Sequence, residues 1–133
     1  IMAGKIVADQ LEHSTAGSIA TNFVVEGVAK AYSSVNQSST LSVYDSFNKS
    51  SHTDRGSGSF YHHFSSNYSS VNYNTFGSSS PQSIGSMSTT NNNRATITSP
   101  DTTSRKSCNN YYVSGPAVTD DPYVSVLSFG DLA

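Results

Sequence analysis

Short segments in which polar and apolar residues alternate are the feature that most constrains the fold of this chain. The segments "LSVYDSF" (41–47), "SFYHHF" (59–64) and "YVSVLSF" (123–129) are rich in β-branched and aromatic residues. Clusters of Gly, Pro, Asn or Ser separate them. Residues two apart in a strand share one face, and several short strands at spacings of about 8–12 residues are typical of a sandwich or barrel. "VNYNTF" (71–76), "RATIT" (94–98) and "NYYV" (110–113) predict further strands.

No segment after about residue 40 has a sustained helical period. We therefore predict an all-β fold, an antiparallel β-sandwich of jelly-roll-like type, over residues 36–133. Residues 1–35 contain most of the alanine and a larger share of aliphatic residues. Within them, "NFVVEGVAKAY" predicts a short strand or an amphipathic extended segment. We interpret residues 1–35 as an extended N-terminal arm or attachment segment.

The composition predicts that the chain assembles with copies of itself. Its 133 residues suit one domain, but only 35% are hydrophobic. Small domains bury proportionally little surface, and oligomerisation is a common remedy. We therefore expect an oligomer in which apolar residues of the arm pack against a partner. The candidate subunit or partner contacts are Phe23, Val24, Val25, Val28, Tyr32, His62 and His63.

The adjacent histidines His62 and His63 raise the question of a metal site. Neighbouring residues of a strand point to opposite faces, so both cannot reach one ion from a regular strand. His52 could meet one of them across a hairpin, but no cysteine or patterned carboxylate completes a set of four zinc ligands. We expect one histidine to pack inward and the other to lie in solvent or at a subunit contact, with no metal and no cofactor.

The stretch "TDRGSGSF" predicts the turn of that hairpin. Asp54 can accept a hydrogen bond from the backbone of its own turn, and Gly56 and Gly58 can adopt positive φ at little steric cost. A hairpin turn accounts for the glycines, because the stretch lacks the Gly-Lys-Ser/Thr ending of a phosphate-binding loop.

No pattern in the sequence predicts a catalytic site or a polyanion partner. There is no G-x-S-x-G elbow, and Asp120 and Asp121 precede Pro122 in a predicted turn. The single cysteine, Cys108, is interpreted as a small buried residue. Charged residues make up 12% of the chain and the net charge is −2, which favours neither nucleic acid nor an anionic membrane. No apolar run is long enough to span a bilayer, and no apolar core of a signal peptide is present near residue 1.

Surface tyrosines among Asn and Ser residues could stack on sugars and donate hydrogen bonds to them. This hypothesis names Tyr68, Tyr73, Tyr111 and Tyr112 as glycan contacts. The alternative is that these rings pack within the strands. A surface rich in Tyr, Ser, Gly and Asn is typical of adaptable binding surfaces.

Several stretches resemble small virion structural proteins of marine and freshwater tailed bacteriophages, including cyanophages. They are "MAGKIVADQLEHSTAGSIATNFVVEGVAKAY", "DSFN", "SSHTDRGSGSFYHHF" and the closing "YVSVLSFGDLA". Proteins of this group are described as tail fibre or decoration-like proteins. The resemblance spans most of the chain, and the N-terminal stretch is the most distinctive part of it.

The resemblance implies a non-enzymatic, β-rich component of a virus particle. We expect a capsid decoration protein on the particle exterior, made in the host cytoplasm, with the major capsid protein or tail and fibre proteins as partners. Surface modules of this kind are commonly homotrimers, so the resemblance also implies a homotrimer. The alternative is a tail or head fibre module that binds host surface glycans. A secreted or host-surface glycan-binding module is a third possibility of a different class.

Overall fold

The computed structural model describes residues 8–15, 17–81, 94–112 and 117–133, so residues 1–7 of the predicted arm lie outside the described residues. Within this part the chain forms ten strands and one short helix. In chain order they are β1 (Gln10–His13), β2 (Gly17–Ala20), α1 (Thr21–Gly27), β3 (Ala31–Asn36), β4 (Ser42–Phe47), β5 (Ser51–Asp54), β6 (Ser59–His63), β7 (Asn74–Ser80), β8 (Arg94–Thr102), β9 (Arg105–Tyr112) and β10 (Tyr123–Phe129).

Most of the strands belong to two four-stranded antiparallel sheets. The first sheet has the order β4-β3-β10-β7 and the second has the order β5-β6-β9-β8. Strands β1 and β2 form a separate hairpin. We call β1, β2, α1 and the adjoining Val28 the N-terminal unit. The predicted all-β, antiparallel character is confirmed, and the strands predicted at 41–47, 59–64 and 123–129 agree with β4, β6 and β10.

Alternation along the strands forms the interior. In β10 every second residue is buried, and β6 shows the same pattern. The buried residues of the two sheets meet in common clusters, so the sheets pack against each other through these faces. One cluster contains Val35, Phe60, Cys108, Val124 and Val126, and the other contains Ala31, Phe64, Tyr68 and Tyr73. Burial of each large apolar side chain contributes about 1.5–3 kcal/mol.

The predicted hairpin turn is confirmed between β5 and β6. The carboxylate Oδ1 of Asp54 accepts a hydrogen bond from the backbone N–H of Gly56 at 2.8 Å. Gly56 and Gly58 have φ of 96° and 64°. Gly58 is also buried against another segment, and its backbone N–H donates to Oδ1 of Asp120 at 2.6 Å. The turn therefore joins the hairpin to the segment that precedes β10.

The predicted boundary between residues 35 and 36 is wrong, because it falls inside β3. Ala31 and Val35 are fully buried, and β3 pairs with both β4 and β10. Alternation of apolar residues does not predict this strand, because the middle one of its three inward positions is a serine. That residue, Ser33, is also buried.

Residues 21–27 form a helix, so the prediction of a strand or extended segment here is also wrong. The backbone N–H of Thr21 donates to the carbonyl oxygen of Asp9 at 2.9 Å, and its hydroxyl donates to that of Ala8 at 2.8 Å. These bonds satisfy donors at the start of the helix, where backbone groups lack intrahelical partners. The helix buries none of its residues.

The helix α1 has seven residues. Among the described residues, no helix is long and apolar enough to cross a membrane.

We predict that Gly58→Ala destabilises the protein more than Gly56→Ala. A side chain at either residue is strained by the positive φ, at a cost of about 1–2 kcal/mol. At Gly58 a Cβ atom would also lie 2.5 Å from the backbone nitrogen of Thr119, whereas at Gly56 it would meet nothing within 4 Å. Overpacking of this kind adds about 1–3 kcal/mol. Urea unfolding of both variants measures the difference, and equal losses of stability would contradict the close approach.

Candidate functional site

A layer of polar side chains crosses the interior between the two apolar clusters. We define this interior polar layer as Ser33, His52, His62, Lys106 and Ser128. The hydroxyl oxygen of Ser33 lies 3.1 Å from Nε2 of His52 and 3.0 Å from Nδ1 of His62. Because Ser33 belongs to the first sheet and both histidines belong to the second, these contacts connect the two sheets.

Strand register places the basic members of the layer side by side. His52 pairs with His62, and His62 pairs in turn with Lys106. The two imidazole rings meet edge to face, with centroids 5.1 Å apart. Nζ of Lys106 lies 3.3 Å from the hydroxyl oxygen of Ser128, to which it donates a hydrogen bond.

Burial lowers the pKa of each basic group in the layer. The pKa of His62 falls to about 3, chiefly through burial and then through the positive charge of Lys106. Burial also lowers the pKa of His52 to about 4, with a contribution from Lys49, and that of Lys106 to about 8. Loss of solvation disfavours the charged form of each group. Both imidazoles are therefore neutral at pH 7.

The interior polar layer has the chemistry of an active site but not the access. His62 and Lys106 are completely buried, so a substrate cannot reach them in this conformation. Burial raises the pKa of the nearby Cys108 thiol to about 12, which suppresses the nucleophilic thiolate. Among the described residues no group of three or more His, Cys, Asp or Glu side chains could hold a metal ion.

The outward side of the first sheet carries a row of large apolar side chains across all four strands. We call this the aromatic row. Tyr32 pairs directly with Phe47 on one side and with Leu127 on the other, and Leu127 pairs with Phe76. Phe47 is 54% exposed, Tyr32 39% and Phe76 69%, while Leu127 is half-buried. Contiguous exposed apolar surface of this kind is a candidate binding site.

A row of small polar residues lies next to the aromatic row on the same face. We call it the serine row: Asp45, Ser34, Ser125 and Ser78, which are paired across the four strands. The hydroxyl groups of Ser34 and Ser125 are 3.2 Å apart. The hydroxyl of Tyr32 donates to Oδ2 of Asp45 at 3.3 Å, which links the two rows.

Beyond the serine row, a second pair of aromatic rings completes the face. Tyr44 and Tyr123 stack with centroids 5.9 Å apart and an interplanar angle of 28°. Tyr32 and Phe47 stack in a similar way, at 6.0 Å and 23°. The hydroxyl of Tyr44 donates to the carbonyl oxygen of Pro122 at 3.0 Å. The face thus presents two stacked ring pairs separated by hydroxyl groups.

A pocket of about 280 Å³ adjoins the end of this face. Phe129 and Asn74, which are strand partners, form part of its wall, and Glu26 and Asp131 contribute carboxylates. Its lining is more polar than that of the sites that usually hold drug-like ligands.

The outward side of the second sheet has a different character. The guanidinium carbons of Arg55 and Arg105 lie 4.6 and 4.2 Å from the centroid of the Tyr61 ring. Arg105 also forms an ion pair with Asp101. Cation–π contacts at exposed sites contribute about 0.5–1 kcal/mol. The cationic groups of this region therefore lie on the opposite side of the molecule from the aromatic row.

Two of the tyrosines predicted to contact glycans lie inside the protein, so that prediction is wrong for them. Tyr68 is 1% exposed and its hydroxyl donates to Ser128 at 2.9 Å. Tyr73 is 4% exposed and its hydroxyl lies 2.5 Å from the carbonyl oxygen of Arg105. Tyr111 is half-buried in β9, and the side chain of Tyr112 lies outside the described residues.

The residues predicted to contact partners separate into three groups. Phe23, Val25 and Val28 are 65%, 55% and 51% exposed, while Val24 is half-buried. Tyr32 belongs to the aromatic row.

The third group is the histidine pair, which divides between the two faces of β6 as expected. His62 is completely buried, so it cannot form the predicted subunit contact. His63 is half-buried on the outward side, where its Nε2 lies 2.9 Å from the hydroxyl of Thr53.

Comparison with known proteins returns no match to a family model, a curated protein or a solved structure.

We predict that the protein loses stability in mild acid because of the interior polar layer. The folded-state pKa of His62 is about 3 and the unfolded value is 6.5. Below pH 6.5 the unfolded chain binds a proton that the folded chain does not. The free energy of unfolding therefore falls by up to about 1.4 kcal/mol per pH unit for this group. His52 acts in the same direction.

Urea unfolding between pH 7.5 and about pH 4.5 measures this loss before most carboxylates titrate. His63→Gln is the control and should keep the pH dependence, because that side chain lies on the outward side of the same strand. A free energy of unfolding that stays constant over this range would contradict the prediction.

Proposed function

We propose that this chain is a non-enzymatic structural protein of a bacteriophage particle, located on the capsid surface as a decoration protein. The observation that carries the proposal is the exposed apolar surface of the N-terminal unit. In this proposal the N-terminal unit attaches the chain to neighbouring subunits in a homotrimer or to the major capsid protein, and the two sheets project from the particle.

The N-terminal unit exposes more apolar surface than its own packing can cover. Its exposed side chains are Leu11, Ile19, Phe23, Val25 and Val28, each between 46% and 65% exposed. Removal of apolar surface from water contributes about 25 cal/mol per Å². A partner that covers these side chains therefore stabilises the unit, which is the behaviour expected of an attachment segment.

The two sheets support the proposal of a β-sandwich. Buried residues from both sheets share clusters, and eight antiparallel strands divide equally between the sheets. Consecutive strands pair as hairpins within a sheet, β3 with β4, β5 with β6 and β8 with β9. Because consecutive strands of a jelly roll mostly alternate between its two sheets, this connectivity favours a sandwich of hairpins.

The non-enzymatic part of the proposal is supported by the position of the reactive groups. The pKa values of His62, Lys106 and Cys108 all depart strongly from their ordinary values, and all three side chains are completely buried. Perturbed titratable groups mark candidate catalytic sites when they line a cleft. Here they lie inside the closed interior instead.

A fibre module of the tail or head that binds host surface glycans is the second candidate function, and the aromatic row favours it. Quantitative mass spectrometry of purified particles distinguishes the two. A copy number comparable to that of the capsid subunits supports decoration, and a much smaller number supports a fibre. Absence of the chain from purified particles would reject both.

We predict that simultaneous replacement of Phe23, Val25 and Val28 by Ser disrupts assembly. Each large apolar side chain contributes about 1.5–3 kcal/mol when it is buried, so association should weaken by at least about tenfold per side chain. Sedimentation equilibrium measures the effect. The stability of the isolated subunit should change little, because α1 buries no residue and Val28 is 51% exposed.

Val71→Ser is the matched control for this experiment. Val71 is 50% exposed, close to Val28, but lies outside the N-terminal unit. The control should associate like the unmodified chain. A triple variant that associates as tightly as the unmodified chain would reject the attachment role.

A further inference from the structure

We propose that the outward side of the first sheet binds a neutral glycan chain, with the aromatic row as the stacking platform and the serine row as the hydrogen-bonding edge. This inference goes beyond the proposed structural role. It depends only on the arrangement of this face and holds whether or not the chain belongs to a virus particle.

The aromatic row offers exposed ring surface on which pyranose rings can pack. A sugar presents a flat face of C–H groups, which packs on an aromatic ring and excludes water from both. Tyr32 and Phe47 lie nearly parallel on adjacent strands, and Phe76 extends the row to the far edge of the sheet. Neighbouring strands are about 4.8 Å apart, so the row spans about 14 Å. An oligosaccharide fits along this length.

The serine row supplies polar groups at the edge of the platform. Ser34, Ser125 and Ser78 offer hydroxyl groups that both donate and accept hydrogen bonds. Asp45 offers carboxylate oxygens that accept hydrogen bonds from sugar hydroxyls, and one of them already accepts from Tyr32. Binding sites for small ligands commonly combine apolar and aromatic surface with a few polar groups that fix orientation.

The charge of the face favours a neutral ligand. Asp45 is the only charged residue in the aromatic and serine rows. A carboxylate without a neighbouring cation in these rows repels nucleic acids and sulfated or sialylated polymers. Arg55 and Arg105, which could attract such polymers, lie over Tyr61 on the second sheet.

The length of the face suits a short glycan. The four strands span about 14 Å across the sheet, and each strand extends about 20 Å along it. A second copy of the chain is the competing occupant, and the self-association of the Phe76→Ala variant distinguishes it in the test below.

The test is binding of three neutral hexasaccharides, cellohexaose, laminarihexaose and chitohexaose, with a heparin hexasaccharide as the anionic comparison. Isothermal titration calorimetry measures affinity. Tyrosine fluorescence gives a second readout, because the chain contains eight tyrosines and no tryptophan. We expect at least one neutral hexasaccharide to bind, and to bind more tightly than the heparin fragment.

Variants of the platform locate the site. Phe47→Ala and Phe76→Ala should each weaken binding about tenfold, which corresponds to about 1.4 kcal/mol. Both side chains are exposed, so the variants should unfold at the same urea concentration as the unmodified chain. Phe23→Ala is the matched control: Phe23 is 65% exposed, compared with 69% for Phe76, but lies on α1. It should leave glycan affinity unchanged.

Three results would overturn the inference. The first is that none of the neutral hexasaccharides binds, and the second is that the heparin fragment binds more tightly. The third is that Phe76→Ala disrupts self-association of the chain, which would identify the face as a contact between copies. Failure of glycan binding leaves the N-terminal unit unaffected, and its role is tested separately by the Ser variants of α1 and Val28.

Discussion

The contact of one hydroxyl group with two imidazole rings holds the two sheets in their relative position. Ser33 reaches across the interior to His52 and His62, with apolar clusters on either side. The arrangement is stable only while both rings are neutral, since an imidazolium at this depth would lose its solvation. It also requires small side chains on β3, because Ser33 occupies the position where an apolar strand would carry a valine. Polar contacts of this kind can specify how two sheets align, whereas apolar packing alone tolerates sliding.

Much of the fold follows from local sequence. The β5–β6 turn depends on Asp54, Gly56 and Gly58, which act within a few residues of one another, and β10 alternates strictly over seven residues. Strand β3 does not follow, because "AYSSVN" carries a buried serine whose partners are 19 and 29 residues away. Local sequence does not predict the helix α1 for a related reason. Its start is stabilised by carbonyl groups of Ala8 and Asp9, which no local pattern reveals.

The same distinction applies to the candidate site. Period-two geometry correctly separates His62 from His63. It cannot distinguish Tyr68 and Tyr73 from surface tyrosines, because Ser- and Asn-rich neighbours are typical of buried and of exposed tyrosines. Their hydroxyl groups bond to residues far away in the sequence, Ser128 and Arg105. The aromatic row is even harder to predict from the sequence. It joins residues 32, 47, 76 and 127, and only the register of all four strands of the first sheet makes them neighbours.

The position of β10 has a consequence for how the chain acquires its structure. This strand lies between β3 and β7, and Val124 pairs with Val35, far earlier in the sequence. The first sheet therefore cannot close until residues 123–129 have left the ribosome. Until then β3 and β7 expose open edges, which are prone to pair with other chains. Pairing over such a separation in sequence is slow. A chain made at high concentration would therefore depend on rapid arrival of β10 to avoid aggregation.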